Sequence, residues 1–252
     1  MIEIFLLSLI QGITEFIPIS SSSHLIIFST YANFDNQNLA IDISLHIGSF
    51  LAVITFFRKD IIDFIKNKDL FFKIIIATIP IIIFGFILIQ TNLIEKLRNI
   101  EIIGWTTLIF AILLFVSDKN KQINKINYNF TYKTAIFFGL FQIMSLVPGV
   151  SRSGITITAG RMLNFKRFDS AKISFLLSIP TLALVSIYGI KNLIISQDLF
   201  FSKLNMLSIF FSYIFSLITI NYFLRYIKKF SLNVFVIYRL TLGIILLCFA
   251  YL

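Results

Sequence analysis

Six long, nearly uncharged stretches decide the class of this chain before any motif is read. They lie at about 43–57, 74–94, 102–117, 173–190, 204–224 and 230–252. A helix rises about 1.5 Å per residue, so roughly 20 mostly apolar residues cross the ~30 Å hydrocarbon layer of a bilayer. Inside lipid the backbone must satisfy its own polar groups, which a helix does within itself. Composition agrees: the 252 residues are 58% hydrophobic and only 13% charged, with a mean hydropathy of +0.91. That is about half the charge of an ordinary soluble domain. The expected fold is therefore an all-α polytopic membrane protein with about six transmembrane helices. Cys248 is the single cysteine, which excludes an internal disulfide and a cysteine-based metal cluster. The opening MIEIFLLSLIQG lacks a basic n-region and a small-residue cleavage site, so it is expected to be kept.

Two further regions, 1–34 and 134–160, are apolar but broken by Pro, Gly, Ser and a charge. Lysine and arginine test how they sit. Loops 58–73, 118–133, 161–172 and 225–229 carry five, four, four and three of them, whereas 35–42, 95–101 and 191–203 carry none, two and two. If both broken regions enter and leave on the same side, every rich loop falls on one side, which the positive-inside bias makes cytoplasmic. Both termini are then extracytoplasmic, and the net charge of +10 reflects topology rather than nucleic acid. The rival reading, with 1–34 as one kinked crossing, puts the N-terminus inside the cell.

With two re-entrant helical hairpins the chain divides into halves of about 1–125 and 126–252, the second starting on the opposite side from the first. That is an inverted-topology repeat within a single membrane domain. At a spacing of 131, Gln11 matches Gln142, Ser20 matches Ser151, Ser22 matches Ser153 and Leu51-Ala52 matches Leu182-Ala183.

The polar residues of the broken regions carry the chemistry. In QGITEFIPISSSSH, Gln11 and Glu15 share a helix face, Pro18 ends the helix, Ser20 to Ser23 can cap the next one, and His24 lies one turn on. In VPGVSRSGITIT, Pro148-Gly149 makes the break, and Ser151, Arg152 and Ser153 follow, with Thr156 one turn beyond. Burying Glu15, His24 and Arg152 in a membrane is costly without function. If the two tips meet near the midplane, Arg152 and helix N-termini suit a phosphate group. His24 would serve as nucleophile or proton shuttle, and Glu15 as base or as ligand to Mg²⁺ or Ca²⁺. Other ionisable residues read more plainly: His46 as a packed or interfacial residue, Arg239 as structural pairing or snorkelling, Arg161 as topology.

These two motifs, in this order and about 130 residues apart, resemble those of the undecaprenyl-diphosphatase family of membrane enzymes associated with bacitracin resistance. Its (E/Q)xxxE, PxSS-histidine and PGxSRSxxT patterns match here, and the hydrophobic layout agrees over essentially the whole chain. The resemblance implies hydrolysis of undecaprenyl diphosphate to undecaprenyl phosphate and phosphate, which recycles the lipid carrier of cell-wall synthesis. It implies a bacterial plasma-membrane enzyme dependent on a divalent cation, Mg²⁺ or Ca²⁺, with its site open to the extracytoplasmic side. Glu15, Ser21, His24 and Arg152 take the catalytic positions. Ser20, Ser151, Arg152, Ser153 and Thr156 are the implied phosphate contacts, and Glu15 with Gln11 the implied metal ligands. Gln11 stands where many relatives have glutamate, which removes one negative charge. The polyprenyl diphosphate and the bilayer are the implied partners, nucleic acid is not, and a homodimer is left open. Attack by Ser21, His24 or water also stays open, as does a transporter or flippase for a phosphorylated lipid on the same architecture.

Overall fold

A computed structural model describes residues 1–32, 39–66, 68–91, 97–195 and 203–251. Six helices in it are long and apolar enough to span a bilayer, and they fall on the six stretches read from sequence. They are α3 (Leu39–Phe56), α5 (Lys68–Gln90), α6 (Ile100–Asp118), α10 (Arg167–Ile195), α11 (Lys203–Tyr226) and α12 (Asn233–Tyr251). Large side chains such as Phe84, Phe86, Ile112, Phe210 and Ile237 stand exposed on these helices, as expected where the solvent is lipid. Among the described residues there is no strand, only an isolated bridge between Asn124 and Phe165. The protein is an all-α, multi-pass membrane protein.

The broken regions form pairs of short helices. The first pair is α1 (Ile2–Thr14) and α2 (Ser21–Ala32); the second is α8 (Tyr132–Ile143) and α9 (Arg152–Met162). At about 1.5 Å per residue each is roughly 20 Å long or less, too short to cross. The members of each pair pack on each other. Sequence reading placed the first break at Pro18, but α1 already ends at Thr14 and Glu15 lies in the cap. Two small helices, α4 (Arg58–Lys66) and α7 (Ile126–Asn129), lie in basic loops.

Some helix contacts recur at matched positions of the two halves. Helix α1 lies on α11 as α8 lies on α5, and α3 lies on α11 as α5 lies on α10. Two further large contacts, α6 with α12 and α3 with α10, join corresponding helices of the two halves, while α9 also packs extensively on α10. Gly48 allows one of these approaches: a Cβ there would stand 2.5 Å from the Ile209 carbonyl oxygen of α11. Beside it Ser49 Oγ bonds Ser212 Oγ (3.2 Å) and Ser216 Oγ (3.0 Å), the small-residue and hydroxyl contact typical of helices that pack in lipid. Backbone geometry repeats too. Ser20 (φ 76°) and Ser151 (φ 71°), 131 residues apart, both adopt the left-handed conformation that non-glycine residues avoid. Gln11 and its match Gln142 are both fully buried.

One end of the bundle is tied by a buried acid. Asp118 accepts from Arg161 Nε (3.1 Å), from Arg167 Nε and Nη2 (2.8 and 2.9 Å) and from the Leu232 backbone N–H (3.2 Å). Arg161 also donates to the carbonyls of Lys121, Phe165, Asp118 and Asn120. Read from sequence as a topology charge, Arg161 is instead a fully buried hub joining α6, α9 and the loop before α12.

Candidate active site

The two breaks meet. Arg152 Nη2 donates to Glu15 Oε1 at 2.8 Å, and both side chains are largely buried. Ser153 Oγ donates to the Ile17 carbonyl at 2.8 Å, so the second loop is bonded to the backbone of the first. Arg239 of α12 completes the join. Its guanidinium is wholly buried and donates to the carbonyls of Gly149 (2.9 Å), Val150 (3.1 Å) and Pro18 (3.4 Å). Of the two readings left for Arg239, pairing holds, and its partners are backbone carbonyls of both breaks. Gly149, at φ 92°, supports this geometry: a Cβ there would stand 2.0 Å from Thr106 Oγ1.

Local sequence explains the rest of the shape. Ser151 caps α9 by accepting from the Gly154 N–H at 3.1 Å. Ser20 Oγ bonds Ser23 Oγ (3.0 Å) and Ser22 Oγ (3.3 Å) across the first turn of α2. Holding two serines at positive φ costs about 1–3 kcal/mol each, a strain that clusters at functional sites. What it achieves here is to turn both helix starts inwards, where first-turn N–H groups lack helical partners.

A cavity of about 220 Å³ lies at this junction, lined by Glu15, Ser20, Ser21, Ser151 and Arg152, with His46 on its wall. Both carboxylate oxygens of Glu15 are bonded. Oε2 accepts from Ser21 Oγ (2.7 Å) and Gln11 Nε2 (3.0 Å), while Oε1 takes Arg152. Gln11 Nε2 also lies 3.1 Å from His46 Nδ1.

Other residues singled out from sequence sit behind this surface. Thr156 is buried, its hydroxyl on the Arg152 carbonyl (2.8 Å) and Ser174 Oγ (2.7 Å). Ser153 is spent on Ile17, and Gln11 is buried beneath Glu15. His24 does not line the cavity. Its Nδ1 meets the Ser20 carbonyl at 2.6 Å, and its Nε2 meets the Tyr238 hydroxyl at 2.6 Å. A carbonyl can only accept, so the proton is assigned to Nδ1, leaving Nε2 to accept from Tyr238. The ring also stacks on Tyr238, the planes 12° apart. His46, which the sequence reads as a packed or interfacial residue, stands on the cavity wall, and an imidazole in an apolar helix is itself the available signal.

A hard cation needs oxygen ligands, and one is free here. Gln11 Oε1 is buried with no hydrogen-bond partner and Glu15 Oε1 accepts only from Arg152, so each side chain keeps an oxygen with a lone pair of the kind Mg²⁺ or Ca²⁺ takes. Among the described residues no group of three or more His, Cys, Asp or Glu gathers to hold a metal. A cation bound here would draw its remaining ligands from water or from phosphate oxygens.

Fold and site together define a polytopic α-helical membrane protein with a buried, ion-paired cavity between two broken helix pairs. Comparison with known proteins names the group. A family model described as bacitracin resistance protein BacA matches residues 4–245, and the chain belongs to this family. A relative from Pelagibacter ubique (strain HTCC1062), named undecaprenyl-diphosphatase, is 50% identical over 251 residues, covering 99% of this chain and 98% of its own. Relatives of the same name from Jannaschia sp. (strain CCS1) and Ruegeria sp. (strain TM1040) are 38% and 35% identical, over 98% and 100% of this chain and 98% and 99% of theirs.

Proposed function

We propose that this protein is an undecaprenyl-diphosphate phosphatase whose attacking group is the Ser21 hydroxyl, with Glu15 as its base. Hydrolysis of the prenyl diphosphate gives undecaprenyl phosphate and inorganic phosphate. The observation that carries the mechanism is the 2.7 Å hydrogen bond from Ser21 Oγ to Glu15 Oε2, on the wall of the cavity, with the other carboxylate oxygen held by Arg152. A hydroxyl bonded to an oriented carboxylate is the geometry nucleophilic catalysis requires. Both nitrogens of His24 are engaged away from the cavity, which favours Ser21 over His24 as the attacking group and gives His24 the task of holding the Ser20 turn.

Ser21 Oγ attacks the terminal phosphorus as its proton passes to Glu15, and the bond to the bridging oxygen breaks. The departing prenyl phosphate takes up the proton. A water molecule then attacks the phosphoserine as its proton passes to Glu15, the P–Oγ bond breaks, and Glu15 returns that proton to Ser21 Oγ as inorganic phosphate leaves. Arg152, with guanidinium donors to spare beyond its bond to Glu15, faces the phosphoryl oxygens as their charge grows. The Ser20 and Ser151 hydroxyls and the N-termini of α2 and α9 line the same space and add neutral donors. A divalent cation held by Glu15 and Gln11 Oε1 would supply further neutralisation of the diphosphate.

The lysine and arginine bias supports a topology with α4 and the 161–172 loop in the cytoplasm and with the cavity mouth and both termini on the extracytoplasmic side. The test is to quench turnover of substrate labelled on its terminal phosphate with acid. Label retained on protein and lost in Ser21→Ala supports the reading. Full turnover by Ser21→Ala removes the phosphoserine and leaves attack by water.

A further inference from the structure

Away from the active cavity, a second hollow of about 260 Å³ opens at the lysine- and arginine-rich end of the bundle, where α3, α10 and α11 converge. Its lining joins three cations, Lys172, Arg225 and Lys228, to one acid, Asp60, with Phe168 and Asn221 between them. Lys172 Nζ bonds Asp60 at 2.6 Å. Lys228 Nζ stands 4.5 Å above the Phe168 ring, and among the described residues neither it nor Arg225 has an anionic partner. The hollow therefore has two unmatched positive charges and a third held by an acid that a stronger anion could displace. Its depth also matters. Lys172 lies just inside the start of one span and Arg225 at the end of another, the level at which spanning helices emerge among phospholipid phosphates.

We propose that this hollow binds the phosphate of an anionic membrane phospholipid. Arg225 presents its planar fork to two phosphate oxygens, Lys228 adds a point charge, and the Asn221 amide donates to a third oxygen or to a headgroup hydroxyl. The aromatic edge beside Phe168 meets the start of the acyl chains, as Trp, Tyr and Phe do at membrane interfaces. Basic hollows between spanning helices recognise anionic headgroups in this way. Asp60 tunes the site: by occupying Lys172 it lowers the charge offered to the lipid. The site is independent of the phosphatase chemistry, sharing no residue with the active cavity.

Native mass spectrometry of the purified full chain, loaded from mixed phosphatidylglycerol and phosphatidylcholine micelles, reads retained lipid directly. The wild type should retain phosphatidylglycerol preferentially. Arg225→Gln and Lys228→Gln should each lower that retention roughly fivefold, the worth of one basic residue at a membrane surface. Asp60→Asn should raise it, because Lys172 is released and a repelling charge removed. Lys229→Gln, one residue further and outside the hollow, should leave retention unchanged. An equal fall in Lys229→Gln would mean general surface charge and overturn the site. Displacement of the lipid by millimolar inorganic phosphate would overturn the lipid in favour of a soluble phosphate. Melting temperatures on the same samples keep a folding defect from being counted as lost binding.

Discussion

The Glu15–Arg152 pair bonds the two halves of the site, so a double-mutant cycle on it tests the whole arrangement. Charges about 4 Å apart attract by about 4 kcal/mol at an effective dielectric near 20. The side chains are only 7% and 13% exposed, so screening is weak, though the cavity admits some solvent. Glu15→Gln keeps the shape and the Ser21 contact but leaves Arg152 buried with only the Ser174 carbonyl at 3.4 Å. Losing one partner of a buried pair costs about 3–5 kcal/mol. Arg152→Gln leaves Glu15 buried beside Ser21 and Gln11, at similar cost. The double variant strands no charge, so its destabilisation should fall short of the sum of the singles by about 2–4 kcal/mol. Unfolding of purified protein in mixed micelles by added SDS, followed through the single tryptophan Trp105, measures all four corners. Additivity within about 0.5 kcal/mol would refute the claim that this pair joins the loops.

Three further outcomes are expected. Asp118→Asn should destabilise the protein by about 3–5 kcal/mol in the same assay, because Arg161 and Arg167 lose their shared acid; a loss below about 1 kcal/mol would show that carbonyl contacts alone hold Arg161. Tyr238→Phe leaves His24 Nε2 without its donor, so phosphate release should fall by about 1–3 kcal/mol in kcat/KM, roughly fivefold to 160-fold. Unchanged kinetics there would separate His24 from the positioning of the Ser20 turn. Finally, Cys248 is exposed near the C-terminus, and a membrane-impermeant thiol reagent should label it from outside intact cells; labelling only after permeabilisation would reverse the assigned sidedness.

Much of this architecture could be read along the chain because lipid makes simple demands. A run of some 20 apolar residues is a helix in a membrane whatever its neighbours, so the six spans were identified with only their ends uncertain. The breaks were equally legible, since proline, glycine and a carboxylate in an apolar run oppose a plain crossing. The matched serines Ser20 and Ser151, 131 residues apart, share a positive φ that spacing alone could not show.

Tertiary structure decided how the polar groups divide between cavity and scaffold. From spacing alone His24 and His46 are two imidazoles in apolar helices; packing turns His24 onto Tyr238 and brings His46 to the cavity wall. Nothing local distinguishes Ser21, free to face Glu15, from Ser153, bonded to Ile17, although both sit at helix starts. Arg161 and Arg239 look like a loop charge and a stray helix charge, yet both are fully buried hubs whose partners are chiefly carbonyls far along the chain. The reason is physical. Spanning and breaking depend on a segment and its solvent, whereas a side chain's role depends on which distant donor or acceptor the folded chain brings within about 3 Å.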